Sequence, residues 1–356
     1  MKHMRRAFSF ILFLVILFAA AGCGGSETLP DDPFYGNLTN ASKVFRDSEY
    51  LYFANPYDDF KLYRYDSKTD TPENIGGETG GVMYIFSYEG YIYFSARVGN
   101  AESAYNVYRT KGEGAPETVL ENAVAVFAAD GQLIYRDFID PFEYDIFRYD
   151  FSTKESVKLF DRELSVDESN LCYADGRLYF SGGAYAEGEN KIYVIDDLKS
   201  GAYRAINEQP FNTAINCLQY RGGSLYFYRD YDESAIVRYD IAKGEFENVF
   251  VMKDGDFDFY GLIVNNDYIY FSGRQNSAEA EGEEYVEGSF VYDLETKDLR
   301  ELPEPLGPGC FVVNDFIYNL RGPSYGQDEF ALKIFDTADA SDISSLFPTL
   351  TEKPAG

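Results

Sequence analysis

The sequence predicts an all-β fold, a seven-bladed β-propeller built from four-stranded antiparallel blades. A short aromatic strand recurs seven times, as YLYF (50–53), YIYF (91–94), QLIY (132–135), RLYF (177–180), SLYF (224–227), YIYF (268–271) and FIYN (316–319). The steps between copies are 41, 41, 45, 47, 44 and 48 residues, a period that belongs to blades of several short strands. Aromatic residues make up 17% of the chain, with 32 Tyr and 30 Phe, and rings pack well on a pleated surface. A four-stranded sheet cannot hide both faces alone, so tandem copies bury them against each other. At 356 residues one closed β architecture accounts for the length without a second domain.

The chain opens on a different note. Lys2, Arg5 and Arg6 precede an apolar run from Ala7 to Ala21, the order of a secretory leader and too short for a comfortable membrane span. The ending Ala20-Ala21-Gly22-Cys23 resembles the bacterial lipoprotein box, with Ala20 where that box more often carries Leu. The resemblance implies cleavage before Cys23, acylation of its thiol, and an extracytoplasmic protein held to the bacterial cell membrane or outer membrane. An ordinary secretory leader followed by chance by Cys23 is the alternative. Residues 1–22 are thus read as leader, and 23–40 as a small, polar, Pro-bearing tether with a coil reach of about 20–25 Å. Residues 41–347 form the propeller and 348–356 a loose tail.

Loss of the leader changes the chemistry on offer. It removes three basic residues and His3, the only histidine, and takes the net charge from −29 to −32. Such a balance repels phosphate backbones and anionic surfaces, which sets nucleic acid aside and leaves the lipid as the membrane contact. Without His there is no Ser-His-Asp or Cys-His pair and no imidazole metal site. Beyond Cys23 the cysteines are Cys172, Cys217 and Cys310, an odd number without CxxC spacing. They read as core thiols, with a Cys172–Cys217 bridge as the alternative.

Each repeat divides into four strands. Strand A is apolar, as in AVAVFAAD (123–130) or GLIVNND (261–267), and strand B is the aromatic run. Between them, Glu89-Gly90, Asp130-Gly131, Asp175-Gly176, Gly222-Gly223 and Asn266-Asp267 supply the positive φ of a tight hairpin. Strand C ends in an aromatic-Asp pair at Tyr65-Asp66, Tyr149-Asp150, Tyr239-Asp240, Tyr292-Asp293 and Phe335-Asp336, with Ile195-Asp196 as a near copy. Those Asp residues suit local side-chain to backbone bonds better than a ring of metal ligands, because they sit far apart around a disc. Strand D follows, as in SVKLF (156–160) and FENVF (246–250), and DISSLF (342–347) is the last of them. Strands B and C are apolar at successive positions, which fits burial on both faces.

The phrase made of Glu89-Gly90, Tyr91-Ile92-Tyr93-Phe94-Ser95, a loop, and Leu62-Tyr63-Arg64-Tyr65-Asp66 resembles bacterial extracytoplasmic propellers of unknown function related to the low-density-lipoprotein-receptor type. The YWTD signature of that type is missing. The resemblance spans nearly the whole mature chain and implies fold and compartment rather than activity.

If strand A is innermost, the B–C loops gather on one face, where propellers carry their sites. Tyr57, Tyr105, Tyr144, Tyr185, Tyr231, Tyr285 and Tyr325 fall in these loops, beside acids such as Asp59, and Arg97, Arg136, Arg229, Arg274 and Arg321 follow strand B in five blades. Rings, carboxylates and guanidinium groups suit a glycan or an envelope protein; a solvated acidic rim capped by Tyr is the plainer alternative. The expectation is a monomeric, non-catalytic cell-envelope lipoprotein without metal or cofactor. A carboxylate glycoside hydrolase or a Tyr/Arg polysaccharide lyase on the same face and an envelope-assembly scaffold are the alternatives.

Overall fold

The computed structural model describes residues 43–99, 104–137, 145–160, 164, 166, 170–184, 189–207, 211, 214–229, 234–252, 257–265, 267–276, 285–303, 310–313, 316–321, 331–336 and 341–351. All of these belong to one compact unit, Pro33–Gly356. It is a β-propeller of antiparallel blades, with the strands of each sheet paired in chain order.

Blade 1 is β1 (Val44–Arg46), β2 (Tyr50–Asn55), β3 (Lys61–Asp66) and β4 (Thr71–Asn74). Blade 2 is β5 (Val82–Tyr88), β6 (Tyr91–Arg97), β7 (Tyr105–Thr110) and β8 (Glu117–Leu120). Blade 3 is β9 (Ala123–Ala129), β10 (Gln132–Asp137), β11 (Ile146–Asp150) and β12 (Ser156–Lys158). Blade 4 is β13 (Leu171–Ala174), β14 (Arg177–Ala184), β15 (Glu189–Ile195) and β16 (Tyr203–Ala205). Blade 5 is β17 (Asn216–Arg221), β18 (Ser224–Arg229), β19 (Ala235–Asp240) and β20 (Glu245–Val251). Blade 6 is β21 (Phe257–Val264), β22 (Tyr268–Asn276), β23 (Tyr285–Asp293) and β24 (Leu299–Glu301). Blade 7 shows three strands among the described residues, β25 (Cys310–Val313), β26 (Phe316–Arg321) and β27 (Ala331–Asp336).

The first strands of successive blades, such as β5 and β9 or β13 and β17, lie side by side at the centre. Burial falls from there outward. Every residue of β9 is buried, β10 nearly so, β11 is mixed and β12 is exposed along its length. Strand C is therefore less buried than its apolar run suggested, because only the inner two strands lie fully between neighbours.

Among the described residues, side-chain packing rather than strand pairing joins the blades. Phe45 and Ala54 of blade 1 pack on Ile85 and Phe94 of blade 2, and Tyr93 on Leu133 and Tyr149 of blade 3. Phe127 and Phe160 meet Leu178 and Phe180, Tyr179 and Val194 meet Leu225 and Phe227, and Tyr226 and Ile236 meet Leu262 and Phe271. Tyr270 and Val291 meet Ile317 and Phe335. The circle closes where Tyr318, Leu332 and Ile334 of blade 7 meet Val44, Leu51 and Phe53 of blade 1. Each fully buried ring or branched chain contributes roughly 1.5–3 kcal/mol, so every joint is a core in its own right.

Four of the five A–B hairpins follow the expected turn chemistry; in blade 6 Asn266 lies outside the described residues, Asp267 is not left-handed, and Asn265 Oδ1 accepts the Asp267 and Tyr268 amides at 3.0 and 2.7 Å. Glu89 (φ 48°) and Gly90 (74°), Asp130 (49°) and Gly131 (75°), and Asp175 (51°) and Gly176 (73°) all take left-handed φ, as a two-residue turn of the mirror type requires. Asp150 accepts the amides of Ser152 and Thr153 at 2.7 and 3.0 Å, and Asp240 and Asp293 repeat the pattern. In blade 4 the turn is made by Asp197, which accepts the Lys199 amide at 2.9 Å. Asp196 instead bridges Arg177 and Arg204 at 3.0 and 3.2 Å.

Two expectations are corrected at the carboxyl end. The stretch 342–347 does not run on as a strand: Asp342 makes one bridge to Phe335, and Ser344–Leu346 curl into a 3₁₀ turn. The tail is not loose where it begins, since Pro348–Thr351 form a short helix, α1, whose Leu350 is buried in the blade 7 to blade 1 joint. Cys172 lies in the blade 4 to blade 5 core and Cys217 in the blade 5 to blade 6 core, both as buried thiols.

Candidate functional site

With the first strand innermost, the ends of the second strands, the B–C loops and the starts of the first strands share one face. The best-described part of that face lies where blade 1 meets blade 2. After β2, the chain turns on Asn55, whose side-chain oxygen accepts the Tyr57 amide at 2.9 Å and whose carbonyl accepts the Phe60 amide at 2.9 Å. Asp59 and Phe60 then take φ of 47° and 55°. Two successive non-glycine residues in the left-handed region cost on the order of 1–2 kcal/mol each, and such strain persists only where surrounding contacts hold it.

Those contacts are visible. The Phe60 carbonyl accepts the Val82 amide at 2.9 Å, tying the loop to the start of β5. Asp58 accepts the Tyr63 hydroxyl at 2.9 Å and pairs with Lys61 at 3.1 Å. Asp59 Oδ1 receives Arg97 Nη2 at 3.1 Å, and the Nε/Nη2 edge of the guanidinium lies close against Gly81, where a Cβ would stand 3.1 Å from Nη2 and 3.2 Å from Nε. Glycine at 81 is what lets the guanidinium approach. The Lys43 carbonyl accepts the Ala54 amide at 2.9 Å, at the foot of β1, and its ammonium sits 5.2 Å from the centre of the Phe60 ring. Burial, and then the positive charge of Arg97, hold the Lys43 pKa below the usual lysine range.

The residues singled out from the sequence divide sharply. Asp59 and Arg97 are brought together. Tyr57 turns away from the mouth and donates its hydroxyl to the Thr351 carbonyl at 2.5 Å, so it serves the blade 1 to α1 contact. Tyr105 opens β7, paired in register with Arg97. Arg136 is buried, at 7% exposure, and Arg274 pairs with Asp258 of β21 at 3.0 Å. Counted from the start of strand B, Arg97, Arg136 and Arg274 fall at even steps and Arg229 at an odd one, so these arginines leave their strands on opposite sides and form no single ring. Arg321 closes β26 opposite Ala331, and Tyr285 opens β23 opposite Asn276. Tyr144, Tyr185, Tyr231, Tyr325 and Cys23 lie outside the described residues. Among the described residues no group of three or more acids, Cys or His is placed to hold a metal ion.

Lys43, Phe60 and Gly81 had no distinguishing signal in the sequence. Lys43 is one basic residue before a strand, and its closeness to Phe60 and Arg97 arises only from the joint between blades.

No protein-family model and no curated protein matches the sequence. Among solved structures, the chain is similar to TolB from Acinetobacter baumannii, at TM-score 0.48 and 15% identity over 84% of this chain and 77% of that one. It is also similar to a puromycin-hydrolyzing peptidase of Mycobacterium tuberculosis, at TM-score 0.53 and 13% identity over 86% of this chain and 54% of that one. A structure from a study of two prolyl endopeptidases gives TM-score 0.56 and 11% identity over 86% and 49%. The chain therefore spans about half the length of these two peptidases. At such identities the likeness is one of fold, and the fold is the β-propeller.

Proposed function

We propose that the chain is a non-catalytic binding protein of the bacterial cell envelope, anchored by lipid at Cys23, whose B–C loop face receives a glycan or a protein partner. The observation that carries this reading is the closed circle itself. With β1, β5, β9 and their counterparts innermost, the variable loops converge on one face while the paired turns on the other serve the framework. The leader, its lipoprotein-box ending and the resemblance to extracytoplasmic propellers support the location. The loss of His3 with the leader leaves no imidazole base, which supports binding over turnover. Hydrolysis is named for the peptidase structures and belongs to those proteins.

The soluble form, residues 24–356, on a glycan array and in crosslinking on intact cells tests the reading. Binding without turnover is expected, weakened by Arg97→Gln and Arg274→Gln and unchanged by Asp196→Asn on the opposite face. Cleavage of a bound polysaccharide, or binding lost only with Asp196→Asn, overturns it. Palmitate labelling of the full chain, abolished by Cys23→Ser, tests the anchor.

A further inference from the structure

In a chain of net charge −29 with 60 acids, the Lys43 ammonium is placed against its own kind. It is half-buried, no carboxylate among the described residues pairs with it, and its charged neighbour is the Arg97 guanidinium. A cation withdrawn from water beside a second cation is an unfavourable arrangement unless an anion completes it. Arg97 already gives Nη2 to Asp59 and lies against Gly81, which fixes the plane of the guanidinium and leaves Nη1 without a partner among the described residues. Beneath the ammonium the Phe60 ring supplies an apolar floor. The left-handed backbone at Asp59 and Phe60 holds both the acid that orients Arg97 and the ring that carries Lys43. Strain kept in two adjacent residues, each serving one of two cations, marks a preformed site.

We propose that Lys43 and Arg97, over Phe60 at the joint of blades 1 and 2, bind a carboxylate group of the ligand. The charge of the group follows from its surroundings. Asp59 already pairs with Arg97, and the adjacent Asp58 pairs with Lys61, so a doubly charged phosphate meets repulsion that a singly charged carboxylate largely escapes, while Arg97 Nη1 and the Lys43 ammonium are charged donors that a carboxylate accepts. This site deepens the binding-face reading and rests on it. A uronate on a glycan and the terminal carboxylate of a peptide present the same chemistry.

The test is titration of residues 24–356 with D-glucuronate and with N-acetylalanine, each against its neutral counterpart, D-glucose and N-acetylalanine amide, and with inorganic phosphate. At least one carboxylate is expected to bind and raise Tm, and Lys43→Met and Arg97→Gln each weaken it about tenfold or more, as loss of a charge-assisted bond requires. The arm that binds identifies the source. Without ligand, Lys43→Met should match or exceed the wild-type Tm, since it removes an uncompensated charge. Equal binding of the neutral counterparts, binding of phosphate alone, no binding by either carboxylate, or a lower ligand-free Tm for Lys43→Met overturns the site. Capture of an envelope partner equally by wild type and Lys43→Met leaves the binding face standing and removes the carboxylate site. Carboxylate binding with no partner captured on the face does the reverse.

Discussion

Asp150 shows what a turn carboxylate does for this fold. The Ser152 hydroxyl, then the Gln132 side chain at 2.6 Å and the amides of Thr153 and Ser152, hold its carboxyl well below the usual range. Asp240 is lowered by the Lys243 side chain and then the Lys243 amide, and Asp293 by the Thr296 amide first among its causes. A folded pKa below the unfolded one means that the stability is present at neutral pH and is lost as the acid is protonated. Tm should therefore fall from about pH 4 downward, and Asp150→Asn should flatten that slope in a calorimetric pH series. These Asp positions were legible in the sequence because the turn is local, needing only residues within three of one another. The Lys43, Phe60 and Arg97 group was not, since it depends on left-handed φ at Asp59 and Phe60, which non-glycine residues do not advertise.

At the level of elements, the hairpin acids do more than shape their own turns. The Tyr173 hydroxyl donates to Asp130 of the preceding blade, and Tyr220 donates to Asp175 in the same way, while Tyr88 accepts the Gly131 amide at 2.7 Å. Burial, then the bond and charge of Asp175, push the Tyr220 pKa up to about 12. A raised folded pKa contributes stability below the ordinary value of 10.0 that is lost as pH rises through about 12. Tyr220→Phe should lower stability by about 1 kcal/mol at pH 7, the worth of one half-exposed bond, and reduce the alkaline loss followed by tyrosinate absorbance. The turns were readable from Asp-Gly pairs, but the inter-blade latches were not, because the partner lies 43 or 45 residues away. The last strand D was misread for a related reason. Ser344 Oγ accepts the Ile334 amide at 3.0 Å, so a side chain takes the bond that a ladder residue would have made.

For the whole molecule, seven aromatic repeats made the circle legible, since each joint uses the same strand B positions. How the circle closes was hidden in one residue. Leu350 lies in a polar tail with no periodicity, yet it fills the last joint at 2% exposure, and Thr349 Oγ1 donates to Asp70 at 2.7 Å. Leu350→Ala should cost about 2–3 kcal/mol, read as a shift in the urea midpoint at constant m. Charge acts across the entire body: at −29 the compact state repels itself, so Tm at pH 7 should climb as NaCl is raised from about 10 to 500 mM. Among the described residues no strand ladder joins blade 7 to blade 1, and α1 packs Leu350 into that joint as its clasp. That clasp touches, through the Tyr57 phenol, the same loop that presents Asp59 and Phe60. Loosening α1 is therefore expected to relax both the last joint and the loop on which the Lys43 and Arg97 seat is built.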